Sequence, residues 1–110
     1  MISYSDFEKV ELRVGTIVEA KVFEKARKPA YQLHVDFGEI GIKKSSAQIT
    51  VQYPNPAELV GKQIVAVTNF PPKQIANFMS ECLVLGVLGD ENAVTLLTTD
   101  KPMQNGLLIR

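Results

Sequence analysis

The chain has 110 residues, of which 45% are apolar and 22% are charged, and its 12 basic and 12 acidic side chains cancel to a formal net charge of zero. This length and apolar content predict one folded domain over residues 1–110 and exclude a disordered chain. Zero net charge excludes a protein that coats nucleic acid by bulk charge, so any nucleic-acid site would be a local basic patch.

The chain also lacks the marks of a secreted or membrane-inserted protein. Cys82 is the only cysteine, so no intramolecular disulfide can form within the chain. Residues 1–6 have neither a basic start nor the apolar segment of a secretory signal. No apolar run approaches the roughly 20 residues of a spanning helix. We therefore expect a cytoplasmic protein that does not insert into a membrane.

Residues 10–23 alternate between apolar and polar side chains, which predicts a long, half-buried first strand. Gly15, in its middle, would permit a bend or bulge, as a strand shared between the two sides of a small barrel requires. Ile17 interrupts the alternation. The predicted buried face consists of Val10, Leu12, Val14, Thr16, Val18, Ala20 and Val22.

Two further strands are predicted before the pattern changes. Residues 31–37 alternate strictly, and the inward positions would be Tyr31, Leu33, Val35 and Phe37. Residues 42–51 alternate less cleanly. One face there has Ala47, Ile49 and Val51, and the other has Lys44, Ser46, Gln48 and Thr50.

A short helix is predicted over residues 56–60. Asn55 suits the N-cap, Pro56 the first helical position, and Glu58 completes the spacing of a capping box. Gly61 can end the helix in the left-handed conformation. Apolar runs at 64–67 and 83–87 then predict two strands, and residues 94–98 are predicted to pair back through a turn at 90–92.

The predicted order is three strands, a short helix and two strands, with an extra hairpin and small terminal extensions. This is the order of the OB-fold, an all-β, five-stranded, partly open barrel.

Three segments go beyond patterning: residues 6–15 (DFEKVELRVG), 41–50 (GIKKSSAQIT) and 69–80 (from NFPPKQI to FMS). Together they closely resemble the CsaA family of export-related chaperones. More loosely, the chain is similar to the tRNA-binding domain appended to some aminoacyl-tRNA synthetases. The resemblance covers essentially the whole chain, in the same order.

This resemblance implies an OB-fold, a homodimer, and a chaperone-like role toward preproteins or unfolded chains, without ATP or another cofactor. It also implies a relationship to tRNA-binding modules. Those modules often follow the matching serine with Gln-Gly, whereas here Ser80 is followed by Glu81 and Cys82. Because Glu81 adds negative charge beside the expected site, peptide binding is the leading hypothesis and tRNA binding the alternative.

The candidate binding residues lie on strand three and around the loop between strands four and five. They are Lys43, Lys44, Ser45, Ser46, Asn69, Phe70, Lys73, Phe78, Met79 and Ser80. Lysine and serine can contact phosphate or backbone oxygens, and Phe and Met can form an adaptable apolar wall. The structural alternatives are a solvated strand face for 43–46 and aromatic plugs of the barrel end for Phe70 and Phe78.

Four more cations, Lys21, Lys25, Arg27 and Lys28, lie in and after the end of strand one, with Glu24 as the opposing charge. The loop there borders the ligand in many OB-folds, so it could steer an anionic partner or be a mobile polar loop.

Catalysis is not expected. His34 and Asp36 share the polar face of strand two, but no partnered nucleophile accompanies them. One His and one Cys cannot supply an ordinary zinc shell.

The ends of the chain point to a partner subunit. Leu107, Leu108 and Ile109 form an apolar run that needs cover from the barrel or from a second copy. Residues 4–9 are predicted to form a short helix that serves the same end.

Overall fold

Nine strands and one α-helix form the regular structure in the computed structural model, which describes residues 1–110. The helix α1 spans Tyr4–Glu8. The strands are β1 Leu12–Val22, β2 Tyr31–Asp36, β3 Ile42–Ala47, β4 Gln63–Val67, β5 Lys73–Ile75, β6 Phe78–Ser80, β7 Leu83–Val84, β8 Gly86–Leu88 and β9 Val94–Leu96. Short 3-10 helices occupy Gly38–Ile40, Pro56–Leu59 and Asp90–Asn92.

Five of the strands form one antiparallel sheet in the order β3-β2-β1-β4-β7. The two outer strands of this sheet meet, because the Lys44 carbonyl oxygen accepts hydrogen bonds from the backbone N–H groups of Glu81 and Cys82 at 2.7 and 3.3 Å. The sheet thus curls into a nearly closed barrel. The predicted all-β, OB-fold class is confirmed.

The barrel interior is filled by the side chains that alternation along β2 predicts. Tyr31, Leu33, Val35 and Phe37 are all buried, and β1, β4 and the 3-10 helix at Pro56–Leu59 add further apolar residues. Leu59 is fully buried, and the 3-10 helix is therefore one of the elements that fill the barrel. These contacts form a single cluster of eleven buried residues.

The predicted buried face of β1 is confirmed at Val14 and Ala20 but wrong at Val18 and Val22. The register of β1 on β2 shifts between Ile17 and Glu19, which places a β-bulge at Val18. Ile17 is fully buried, whereas Val18 and Val22 are 43% and 58% exposed. The core-facing side chain is Ile17 before the bulge and Ala20 after it, so the inward positions change from odd to even and alternation counted straight through the strand cannot predict them.

Gly15 has a packing role rather than a bulge role. A Cβ atom at this position would lie 2.6 Å from Val35 Cγ1 and 2.7 Å from Phe37 Cε1, far inside van der Waals contact. The absence of a side chain at Gly15 thus lets β1 pack directly against Val35 of β2 and against Phe37, which follows β2.

The later elements follow the predicted order with shifted bounds. The run at 83–87 is two strands, since β7 pairs with β4 and β8 pairs with β9. The predicted helix is one turn of 3-10 helix, in which the Asn55 side chain accepts from the Ala57 N–H at 3.1 Å. Val51, predicted on the buried face of β3, lies beyond the strand and is 55% exposed.

A second hairpin, formed by β5 and β6, was not predicted. It pairs Lys73 with Ser80 and Ile75 with Phe78, around a tight turn in which Ala76 has a φ of 51°. Each strand is only three residues long, and the exposed middle residue of β6 is the apolar Met79, so no period-two pattern is visible in the sequence.

Both ends of the chain are attached to the barrel. In α1 the Ser3 hydroxyl accepts from the Asp6 N–H, and the Asp6 carboxylate accepts from the Ser3 N–H, which completes a capping box. At the other end, the Val14 N–H donates to the Leu107 carbonyl and the Ile109 N–H donates to the Leu12 carbonyl. The tail therefore runs along the first half of β1.

None of the helices is long and apolar enough to span a membrane.

Candidate ligand-binding groove

The site lies over the seam where β3 meets β6 and β7. Beyond the backbone bonds at Lys44, side chains complete the closure of the barrel. The Lys44 N–H donates to Glu81 Oε1 at 2.9 Å, and the Ser46 N–H donates to Ser80 Oγ at 3.2 Å. Ser46 and Ser80 therefore share one cleft, as the hypothesis of a common site required.

An apolar lobe of about 420 Å³ opens on one side of this seam. Phe70 and Leu83 are 53% and 46% exposed there, so their apolar surfaces are available to a ligand. The lining contains one basic residue, Lys73, and one acidic residue, Glu81. The lobe is lined by Ser46, Phe70, Pro71, Lys73, Ile75, Ser80, Glu81, Cys82 and Leu83.

A basic lobe of about 550 Å³ adjoins it. Its lining is Lys25, Ala26, Arg27, Lys28, Ala30, Ser46, Gln48, Ile75 and Ala76. Ser46 and Ile75 line both lobes, so the two lobes lie side by side, and together they are called the groove. The loop between β1 and β2 forms one wall, and the β5–β6 hairpin forms another, which is where OB-folds commonly bind ligands.

A small second core beneath the groove holds these walls together. Phe23, Ala30 and Phe78 are each at most 6% exposed, and Ile75 packs against them. The rings of Phe23 and Phe78 are 5.4 Å apart and tilted by 59°, and the Lys44 ammonium lies 5.2 Å from the centre of the Phe78 ring. The cluster thereby fixes the basic loop to the hairpin.

Four of the predicted site residues line the groove: Ser46, Phe70, Lys73 and Ser80. Lys44 lies at the seam, where its ammonium packs over Phe78. Met79 is 36% exposed on β6 but does not line either lobe.

The structure places three other predicted residues outside the groove. Ser45 is 1% exposed because its side chain faces the barrel interior, and Phe78 belongs to the second core. Lys43 lies on the same face of β3 as Ser45, two residues before it, and is half-buried. Adjacent residues on a strand point to opposite faces, so the run of four from 43 to 46 could not all face one ligand.

Asn69 anchors the apolar wall instead of lining it. Its Oδ1 accepts from the Glu11 N–H at 2.9 Å, and its Nδ2 donates to the Lys9 carbonyl at 2.7 Å. The side chain thus ties the loop that contains Phe70 and Pro71 to the segment between α1 and β1. Sequence reasoning missed Ile75 and Leu83 as lining residues, because only the unpredicted hairpin brings Ile75 between the lobes.

His34 and Asp36, the polar pair on β2, have structural partners. His34 Nδ1 lies 2.7 Å from Glu19 Oε2, and the Asp36 carboxylate accepts from the Gly38 N–H in a turn. Burial raises the pKa of the Cys82 thiol to about 12, so this cysteine stays protonated near neutral pH and is a poor nucleophile. No three His, Cys, Asp or Glu side chains cluster as a metal site.

A nearly closed five-stranded barrel with a two-lobed groove between its β1–β2 loop and its β5–β6 hairpin defines a small OB-fold ligand-binding domain. The family described as "Putative tRNA binding domain" matches residues 12–107. The crystal structure of the chaperone CsaA from Bacillus anthracis str. Ames is 50% identical, with a TM-score of 0.95 over 100% of this chain and 99% of that chain. The CsaA chaperone protein from Picrophilus torridus is 52% identical, with a TM-score of 0.92 and 100% of both chains covered.

The chain therefore belongs to the tRNA-binding-domain superfamily and, within it, to the CsaA family. It is also similar to one segment of longer proteins. Methionine–tRNA ligase from Methanocaldococcus jannaschii is 36% identical over 109 residues, which cover 99% of this chain and 16% of that protein. The chain thus spans about a sixth of the length of that curated relative.

Proposed function

We propose that this protein is a cytoplasmic chaperone that binds extended, partly apolar segments of unfolded or export-bound polypeptides, without ATP and without a catalytic step. The observation that supports this most is the apolar lobe beside the seam, with Phe70 and Leu83 half exposed in its wall. Its similarity to chaperones of the CsaA family supports the same function.

The lobe suits a peptide for two physical reasons. Burying apolar side chains against Phe70 and Leu83 is favourable by about 25 cal/mol for each Å² removed from water. The hydroxyl groups of Ser46 and Ser80, which line the same lobe, can bond to the amide groups of a peptide backbone. Backbone contacts are independent of sequence, so the lobe would accept many different segments.

The proposal includes a homodimer with one groove per subunit. Leu107 and Leu108 remain 40% and 48% exposed although their backbone pairs with β1, so a second copy could cover them. Two grooves on one dimer would raise the avidity for a long unfolded chain without any new contact.

A second candidate function, tRNA binding, is favoured by the basic lobe together with the family match at residues 12–107. The two candidates differ in their response to salt. Binding dominated by phosphate contacts weakens steeply as ionic strength rises, whereas apolar peptide binding is nearly independent of it.

The test is a pair of titrations, one with a fluorescent, uncharged apolar peptide and one with tRNA, each at two salt concentrations. We expect peptide binding that salt changes by less than about threefold and that Phe70→Ala weakens by about tenfold, which corresponds to roughly 1.4 kcal/mol. Val60→Ala is the matched control, since Val60 is 49% exposed and lies outside the groove. Peptide binding no tighter than that of an unrelated OB-fold protein would refute the proposal.

A further inference from the structure

The basic lobe is not explained by the capture of apolar segments alone. Three cations, Lys25, Arg27 and Lys28, line it, and no acidic side chain does. None of the three makes an ion pair, since the chain's salt bridges join Lys9 to Asp6, Arg13 to Glu11 and His34 to Glu19. In a chain of zero net charge, this is a local excess of positive charge inside a groove.

The loop that presents these cations is held at both ends. Phe23 and Ala30 are buried in the second core, and the Phe23 N–H donates to the Ala30 carbonyl at 3.0 Å. Within the loop, the Ala26 N–H donates to the Phe23 carbonyl at 3.3 Å. The cations are therefore mounted on a short anchored loop, which lowers the entropic cost of using them in binding.

The basic lobe adjoins the apolar lobe at Ser46 and Ile75, which line both. Two touching spheres of these volumes have centres about 10 Å apart, and an extended chain covers such a distance in about three residues. A single extended segment can therefore occupy both lobes at once.

We propose that the groove selects extended polypeptide segments in which an apolar side chain lies about three residues from an Asp or Glu carboxylate. The apolar side chain occupies the lobe at Phe70, and the carboxylate occupies the lobe at Arg27 and Lys28. This inference rests on the proposed peptide-binding function and adds the class of segment that is bound.

The chemistry of both lobes favours such a peptide over a nucleic acid. The planar guanidinium of Arg27 matches a carboxylate with two parallel hydrogen bonds. A nucleic-acid strand would also be attracted, but it has a phosphate at every nucleotide. Its next phosphates would approach Glu81, which lines the apolar lobe and would repel them, whereas an uncharged peptide backbone would not be repelled.

The test compares three peptides with the same central Leu, flanked three residues away on both sides by Glu, by Gln or by Lys. Binding is measured by fluorescence anisotropy to the wild-type protein at low salt. We expect the Glu peptide to bind about tenfold tighter than the Gln peptide, and the Lys peptide to bind more weakly than both. The preference should shrink at high salt, because the cations are exposed.

The double substitution Arg27→Ala and Lys28→Ala should bring the affinity of the Glu peptide to within about twofold of that of the Gln peptide, with both peptides measured on the same variant. Lys62→Ala is the matched control, because Lys62 is exposed and lies outside the groove. An RNA oligonucleotide is titrated in parallel.

The outcomes separate the selectivity for acidic segments from the proposed peptide-binding function. If the Gln peptide binds and the Glu peptide binds no better, the selectivity is overturned and the proposed function stands. If no peptide binds, both are overturned. If the double variant loses RNA binding and keeps the preference for Glu, the basic lobe is an RNA site and the inference is overturned.

Discussion

Phe70 and Phe78 show how two identical side chains acquire opposite roles within one loop region. Phe70 is 53% exposed at the wall of the apolar lobe, whereas Phe78 is 6% exposed and packs on Phe23. The difference arises from the β5–β6 hairpin, which turns one face of β6 toward the second core. Composition alone left both residues as candidates for either role.

Phe78→Ala should lower the free energy of unfolding by about 3 kcal/mol, because it deletes a buried ring that the cluster cannot refill. Phe70→Ala should lower it by less than about 1 kcal/mol, as is usual at exposed positions. Urea denaturation of both variants measures the difference. Equal losses would mean that Phe78 does not have the buried position described above.

Asn69→Leu should weaken peptide binding although Asn69 does not line the groove. The substitution removes the hydrogen bonds to Glu11 and Lys9 and so releases the loop that positions Phe70. The free energy of unfolding should fall by about 1–2 kcal/mol, and the dissociation constant of a peptide should rise several-fold.

Asn77→Leu serves as the control for that prediction, because Asn77 is exposed and its side chain makes no hydrogen bond. If both Leu variants bind peptide like the wild type, Asn69 does not position the wall.

At the level of secondary structure, the sequence predicts the strands that have regular hydrophobic alternation and the turns that have typical turn-forming residues. The alternation of β2, the barrel order and the turn at 90–92 are all confirmed. The bulge at Val18 was not predictable, because the cause of the shift lies in pairing with β2 and not in the local sequence. The β5–β6 hairpin was missed because three-residue strands have too little pattern.

The same reasons explain why the candidate site was predicted only in part. Residues at the seam were predicted because segments 43–46 and 69–80 resemble the CsaA family. The structure then brings Ser46 and Ser80 into contact. Which side chains face the ligand depends on which face of its strand each residue occupies and on how the β5–β6 hairpin is oriented. Ser45 and Phe78 therefore point into cores, and Ile75 takes the central position.

The segment between α1 and β1 should make the stability depend on pH. Arg13, with its Nε 3.2 Å from Glu11 Oε2, and the Thr68 hydroxyl, which donates to the same oxygen at 2.6 Å, lower the pKa of Glu11. A carboxyl whose pKa is depressed by folding stabilises the protein above its unfolded pKa of about 4.3, and that contribution is lost as the pH falls through the folded value.

Glu11→Gln should therefore lower the free energy of unfolding at pH 7 and flatten its decline below about pH 4.3. Urea denaturation at a series of pH values tests this. A decline in the variant that is as steep as in the wild type would show that Glu11 is not among the groups responsible.

At the scale of the whole molecule, the exposed tail is where a second copy is expected to dock. Leu108 is 48% exposed, and its segment is bonded to β1 through backbone groups that a substitution leaves intact. Leu108→Asp should convert a dimer to a monomer in sedimentation equilibrium, because an unpaired carboxylate in an apolar interface is costly.

The monomeric variant should bind short peptides normally and long unfolded chains more weakly, since only the avidity is lost. Val60→Asp, at an exposed apolar position elsewhere, is the control. An unchanged sedimentation profile for Leu108→Asp would contradict a dimer contact at the tail.

The proposed function places a polypeptide along the seam between β3 and the β5–β6 hairpin. Adding an unlabelled extended peptide to the ¹⁵N-labelled protein and mapping the amide chemical-shift changes locates the bound chain. We expect the largest changes at Ser46, Ile75 and Leu83, with smaller changes along the loop that contains Arg27. Changes confined to the tail and α1, with the amides of the groove unmoved, would contradict it.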